Sequence, residues 1–418
     1  MRFGGIHLYE KDFAVLRELG KRTAEIAALP VQREKKVLWT ANNDLHPVRP
    51  MVYIDQLPWH ELNHAEEMRC ECADPFLRGI EQRLREQLYR WKHFPCDMVV
   101  ENRLDLPREV RGMDYGIHIV EEILRTDTEN DIVSHKYEDQ LQDETALERL
   151  QNDRIETDPA LDARRLALCG EIFDGILPVR LSGVQIHAGL WDRIAQMKPA
   201  DNILWDIVDR PEFVERIVKK FVALTNSTID QCEALGLLDT ELQYIHCTGA
   251  YTDDLPKDGM ADGRAKAHNV WAFGMAQILS TVSPEMHEEF EIDLVRPVYE
   301  RFGLMYYGCC EPLDRKIDIV RKIRNVRKIS VSPWADCDRS ADHIGRDYVF
   351  SCKSNPAFVC AGSFAEESIR RQLDLAWNAC RRNQTPLEII LKDVSTLREH
   401  LDYVDRWEKI AMEYAARS

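Results

Sequence analysis

Cys309-Cys310-Glu311, in the stretch GCCEPL, is the sharpest chemical feature of the sequence. Thiolate and carboxylate both ligate zinc, and soft sulfur favours zinc or copper over magnesium. Successive strand residues point to opposite faces. Cys309 and Cys310 therefore reach one ion only if the strand ends between them, which the following Glu-Pro favours. The plainer reading is two small residues at a strand end, one of them in the core. His246-Cys247 ends an earlier apolar run. Cys247 joins Cys309, Cys310 and Glu311 as a candidate zinc ligand, while His246 reads as a substrate-binding residue or a hydrogen-bonded core histidine. His187 sits between glycines in GVQIHAG, where a ligand can approach the backbone.

Other apolar runs also end in groups able to do chemistry. Asp55, Glu101, His187, Lys392 and Asp393 are the candidate catalytic residues. Asn102, Trp334, Lys353 and Asn355 join His246 as candidate substrate contacts. If the last strand runs through both Lys392 and Asp393, alternation puts them on opposite faces. The inward one then needs a partner, because an isolated buried charge is costly. Glu101 or Glu311 would serve Lys392, and Lys353 or Arg103 would serve Asp393. Asp393 is the one expected to touch the pocket.

The elements that must position these groups are short runs rich in Val, Ile and Tyr, alternating with longer amphipathic stretches. Eight such runs occur, at 49–55, 97–102, 183–189, 242–248, 304–310, 328–333, 348–353 and 387–393. Helical spacing is clear at 12–28, 211–235, 284–302 and 365–382. Strand and helix alternating eight times predicts an α/β fold, a closed (β/α)₈ TIM barrel, with active-site groups at the carboxyl ends of its strands. Residues 1–48 read as a helical extension and 49–418 as the barrel. The charged, turn-rich stretch 108–168 reads as an insertion after the second strand, with a small hairpin at 115–122. Residues 269–274 (NVWAFG) read either as an extra strand or as a loop over the mouth.

The chain has 418 residues, of which 44% are hydrophobic, enough for a packed core. Its net charge is −17, from 55 Lys and Arg against 72 Asp and Glu. So acidic a surface repels phosphate backbones, which argues against nucleic acid as a partner. No apolar run reaches the ~18–20 residues of a membrane span. Residues 1–10 lack a signal pattern, so the expectation is a cytoplasmic chain whose twelve cysteines are reduced thiols. Neither GxGxxG, GxxxxGK[ST] nor GxSxG is present, which disfavours dinucleotide, P-loop and nucleophile-elbow enzymes.

The order GVQIHAG, YIHCTG, NVWAFG with SPEMHEEF, YYGCCEPL, SVSPW, CKSNP and a last apolar strand resembles the uroporphyrinogen decarboxylase superfamily. That superfamily includes uroporphyrinogen decarboxylases and cobalamin-linked methyltransferases that work with methanol, methylamines or methoxylated aromatics. The resemblance runs from Arg49 to the C-terminus and is strongest from Gly183 onward. It implies a (β/α)₈ barrel. The methyltransferase branch carries a zinc site made of a His-x-Cys strand end and a later Cys on the last strand. Tyr307-Gly308-Cys309 matches the thiol but not the histidine, and Lys392-Asp393 stands where the later Cys would be. Cys310, Glu311, Cys247 or His246 would have to substitute. The decarboxylase branch uses an Arg-rich N-terminal signature and an Asp near the first strand. Asp55 is present and the Arg-rich signature is not.

The resemblance implies a methyltransferase of the corrinoid-linked, zinc-dependent type, closer to that branch than to the decarboxylases. Its partners would be a small-molecule methyl donor or acceptor and a corrinoid protein docking at the mouth, with a homodimer as the assembly. The alternatives are a cofactor-free decarboxylase and an inactive ligand-binding barrel.

Overall fold

The computed structural model describes residues 6–62, 66–125, 133–260 and 263–417. The part of the expected insertion at 126–132 lies outside them. Two helices lead the chain, α1 (Ile6–Ala27) and α2 (Pro30–Asn43). Then comes β1 (Met51–Ile54), followed by α3 (Pro75–His93), which is N-capped by Asp74 and started by Pro75. The long helix α4 (Pro211–Ala234) buries Phe213, Ile217, Phe221, Leu224 and Thr228, the stripe that helical spacing requires. Five further strands follow: β2 (Trp271–Gly274), β3 (Leu304–Tyr307), β4 (Val326–Val331), β5 (Val349–Ser354) and β6 (Leu387–Leu391). Helices α5 (Glu366–Asn383) and α6 (Asp402–Ala415) flank β6.

The six strands form one parallel sheet in the order β1-β6-β5-β4-β3-β2, the first strand beside the last. Most strand residues are buried on both faces, as strands of a parallel sheet covered by helices must be. The two faces differ in chemistry. Ile329, Val331, Phe350, Cys352, Ile389 and Leu391 join the apolar core. The alternate positions carry Lys328, Ser330, Ser351, Lys353 and Glu388, all buried.

Residues 244–250 lie across this polar face. Lys328 Nζ pairs with Glu388 Oε2 at 2.8 Å, both side chains fully buried. Thr248 Oγ1 donates to the same carboxylate at 2.8 Å, and Lys328 donates to the carbonyl of Gly249 at 2.9 Å.

Three of the eight runs add no strand to this sheet, and 271–274 supplies β2 instead. In 242–248, His246 has φ +55 and turns the chain into a two-residue hairpin, Tyr244–Ile245 with Thr248–Gly249. In 97–102, backbone bonds are met by side chains: Val100 N–H goes to Gln32. Asp97 makes a single backbone bond to β1, from its N–H to the carbonyl of Val52 at 3.1 Å. In 183–189, Val184 and His187 make isolated parallel bridges to Leu238 and Phe273. The expected hairpin at 115–122 falls later, where Glu121–Leu124 pairs antiparallel with Ser134–Tyr137. Among the described residues, no helix is long and apolar enough to cross a membrane.

Candidate active site

The site grows from the carboxyl ends of β3, β5 and β6. Beyond Tyr307, Gly308 has φ +91, and a Cβ there would come 2.5 Å from Leu313 Cδ1. Only glycine makes this turn cheaply. The strand has ended, so Cys309 and Cys310 no longer point apart: their sulfurs are 3.6 Å apart. Cys309 is buried and Cys310 exposed. Ser330 Oγ donates to the carbonyl of Cys309 at 2.7 Å and fixes the turn on β4.

Glu311 does not face the thiols as a ligand would. Its carboxylate accepts the N–H groups of Cys309 at 2.8 Å and Ala276 at 3.2 Å. It is fully buried, and burial pushes its pKa up. It staples the turn to the segment after β2.

Lys392 follows β6 directly. Its Nζ lies 3.1 Å from Cys309 Sγ and 2.8 Å from Asp393 Oδ2. Asp393 has φ +58, a left-handed conformation that Asp tolerates better than most residues. This turn overrides strand alternation, so Lys392 and Asp393 meet instead of parting. Asp393 Oδ2 also comes 3.7 Å from Cys310 Sγ. Asp393 therefore touches the site, while the expected partners Glu101 and Glu311 for Lys392, and Lys353 and Arg103 for Asp393, are replaced.

A second thiol–ammonium contact lies close by. Lys353 Nζ on β5 is 2.7 Å from Cys247 Sγ and sits 4.9 Å from the Tyr306 ring centroid. His246 stacks on Phe273 with ring centroids 5.2 Å apart, and His187 packs edge-on against the same ring at 4.6 Å. His187 is exposed at the rim, with its Nδ1 accepting the N–H of Gly189 at 3.1 Å. Asp55, just past β1, donates its N–H to the carbonyl of Leu391 at 2.9 Å. A cleft of about 380 Å³ joins Asp55, Tyr53 and Tyr244 to His246 and Cys247.

The electrostatics sort these groups into proton holders. The hydrogen bond to Cys310, together with burial, pushes the Cys309 thiol up to about 12, against the pull of His246 and Lys392. The same hydrogen bond lowers Cys310. The proton thus stays on Cys309, and Cys310 is the more acidic thiol. Burial works against the charge of Lys392, and the Asp393 carboxylate 2.8 Å away opposes it and holds the ammonium. The balance for Lys353 is similar and also upward, with burial opposed by Cys247. Burial pulls His246 down and keeps its ring neutral. Its Nε2 is buried with no hydrogen-bond partner among the described residues.

Four expected residues lie elsewhere. Glu101 is held by Lys36 at 2.5 Å and Tyr251 at 2.9 Å, in a different cleft with Arg103 and Asp239. Asn102 is exposed beside it. Trp334 is 71% exposed beyond β4. Asn355 closes a turn, its Oδ1 accepting the N–H of Ala357 at 3.0 Å, in a cleft with Cys337 and Cys352. Two site residues had escaped sequence reading, Arg83 and Arg90 of α3. Both line the Asp55 cleft, and Arg90 is 3.6 Å from Asp55. Their spacing of seven, two helical turns, was the available signal.

The zinc set does not fit. Among the described residues, no three His, Cys, Asp or Glu side chains are grouped to hold a metal ion. Glu311 is turned onto backbone N–H groups, and the Cys309 and Cys247 sulfurs face ammonium groups that repel a divalent cation.

No protein-family model matches the sequence, and no curated protein matches it either. Among solved structures, the chain is similar to a methyltransferase from Methanosarcina mazei, with a TM-score of 0.50 and 12% identity. The match covers 91% of this chain and 99% of that one. At this identity the likeness is one of fold.

Proposed function

We propose that this chain is a corrinoid-linked methyltransferase of the uroporphyrinogen decarboxylase superfamily, built on a (β/α)₈ barrel in which the runs 97–102, 183–189 and 242–248 add no regular strand to the sheet. Three things support the reading: the order of sequence motifs, the likeness of fold to a protein named methyltransferase, and the chemistry at the ends of β3 and β6. The observation that carries it is the buried ammonium of Lys392, 3.1 Å from the Cys309 thiol and 2.8 Å from Asp393.

Removing a methyl group from oxygen or nitrogen leaves an electron pair on that heteroatom. A proton donor held beside it lowers the barrier, an effect of roughly 10²–10⁴-fold for a positioned acid. Lys392 stays charged and Cys309 stays protonated at neutral pH, so both can donate. Phe273 and His246 give the donor a flat apolar wall, and Lys353 holds the floor of the site at Cys247. Lys392 regains its proton from solvent at the open rim, and the Asp393 carboxylate beside it favours the charged form. A corrinoid carried by a partner protein would supply the methyl-accepting centre. No pocket of this chain need enclose it, because Cys310, Asp393 and His187 leave the rim open.

The test is to mix the purified chain with reduced free cobalamin and, one at a time, methanol, methylamines and methoxylated aromatics. Methylcobalamin formation is followed by its absorbance. Turnover with one donor class supports the reading, and its absence with all three overturns it. Arg83 and Arg90 beside Asp55 favour a second reading, decarboxylation of a carboxylate substrate. Carbon dioxide release from a porphyrinogen without any methyl transfer would select it.

A further inference from the structure

The pair of thiols at the end of β3, and Cys310 within it, is set apart by three features. The two sulfurs are 3.6 Å apart, nearly in contact, on adjacent residues. Cys310 is the one exposed cysteine of the twelve. Burial raises the thiols of Cys72, Cys96, Cys352 and Cys380, whereas Cys310 is lowered by its bond to Cys309. An accessible thiolate beside a second thiol is the arrangement in which oxidation is both selective and reversible. Divalent metals are repelled by Lys392, but a neutral hydroperoxide is not.

We propose that Cys309 and Cys310 form an oxidation site, in which Cys310 reacts with a hydroperoxide and Cys309 resolves the product as a disulfide between adjacent residues. In the first step the Cys310 thiolate attacks the terminal peroxide oxygen. An S–O bond forms, the O–O bond breaks, and the alcohol leaves after taking a proton from solvent. Cys310 is then a sulfenic acid. In the second step Cys309 Sγ attacks Cys310 Sγ. The S–S bond forms, the S–O bond breaks, and hydroxide departs with the Cys309 proton as water. The two thiols lose two electrons and two protons, and the hydroperoxide becomes alcohol and water.

Geometry makes this disulfide labile. Adjacent Cα atoms are about 3.8 Å apart, less than the ~4.4–6.8 Å usual for disulfides. A bridge strained in this way is reduced easily by a dithiol. The Gly308 turn already holds the two sulfurs 3.6 Å apart. The oxidation needs only these two thiols, and it removes the Cys309 proton that the proposed methyl transfer would use.

The test treats the full chain with hydrogen peroxide, alkylates the remaining thiols and maps the peptides by mass. The expected result is a 309–310 peptide lighter by two hydrogens and unalkylated, restored by dithiothreitol, with the other ten cysteines still free. Cys309→Ser should trap Cys310 as a sulfenic acid that reacts with dimedone, while the wild type shows little adduct. Cys310→Ser, at an exposed position that should not disturb folding, should leave Cys309 fully alkylated. The proposal is overturned if the wild type keeps all twelve thiols, if dimedone labels wild type and Cys309→Ser equally, or if the bridge forms elsewhere.

Discussion

Lys392 Nζ lies 3.1 Å from Cys309 Sγ, a contact spanning 83 positions of sequence that ties the end of β6 to the end of β3. Lys392 is buried, and its carboxylate partner Asp393 is half-exposed. Lys392→Met keeps the length of the side chain and removes the proton donor. Methyl transfer should fall by about 100-fold or more. The thermal midpoint should move little, since Asp393 can be hydrated. Full activity in this variant would remove Lys392 from the chemistry.

Much of the scaffold was legible in the sequence. The runs at 49–55, 304–310, 328–333, 348–353 and 387–393 each contain or overlap a sheet strand, because buried parallel strands are continuous apolar runs. The runs at 97–102, 183–189 and 242–248 have the same composition but not the same backbone. His246 at φ +55 ends extension after two residues, and composition does not encode that sign. For the site, Cys309, Lys392 and Asp393 were legible as strand-end groups. Their pairing was not, because it depends on the left-handed turn at Asp393. Glu311 was misleading for a related reason: its carboxylate satisfies local backbone donors, which a ligand reading ignores.

Metal content offers a direct check. With Glu311 on backbone N–H groups and two lysines facing the sulfurs, protein purified without chelators should carry zinc well below one equivalent. Elemental analysis of the wild type and of Cys309→Ala decides it. One zinc per chain that disappears in Cys309→Ala would restore the metal reading.

Glu291 predicts a pH dependence. It is fully buried in the π-helical turn Glu288–Ile292, and burial raises its pKa to about 8, with Tyr299 and Tyr307 pulling the other way. Its ordinary value is 4.5. Between these values the folded state binds the extra proton, so its contribution to stability is complete below pH 4.5. It is lost as pH rises through about 8. Glu291→Gln keeps the acceptor for Tyr299, 2.5 Å away in the wild type, and removes the titration. Denaturant midpoints should fall between pH 6 and 9 in the wild type and stay flatter in the variant. Parallel slopes would refute the assignment.

The buried pair of Lys328 and Glu388 tests the inner face. Lys328→Met strands a fully buried carboxylate whose Oε1 already has no partner among the described residues. The expected loss is roughly 3–5 kcal/mol. The double variant Lys328→Met/Glu388→Leu removes both charges and should recover most of that loss. Guanidinium unfolding of the two variants is the measurement. Equal losses would show that packing, not the stranded charge, sets the cost.

Asp393 separates charge from shape. At φ +58 its backbone excludes β-branched side chains but accepts Asn, which visits the left-handed region as readily as Asp. Asp393→Asn should therefore fold with an unchanged melting temperature. It loses the carboxylate that lies 2.8 Å from Lys392 and 3.7 Å from Cys310. Without that negative charge, Cys310 becomes more acidic, because Asp393 is one of the groups raising its pKa. Lys392 loses one of the partners that hold its charge. Two readouts should then move. Alkylation of Cys310 by iodoacetamide, followed against pH, should shift its midpoint downward. Methyl transfer should slow, because Lys392 is returned less readily to its charged form. A variant with unchanged alkylation midpoint and unchanged turnover would place Asp393 outside the site, leaving its turn as a purely structural end to β6.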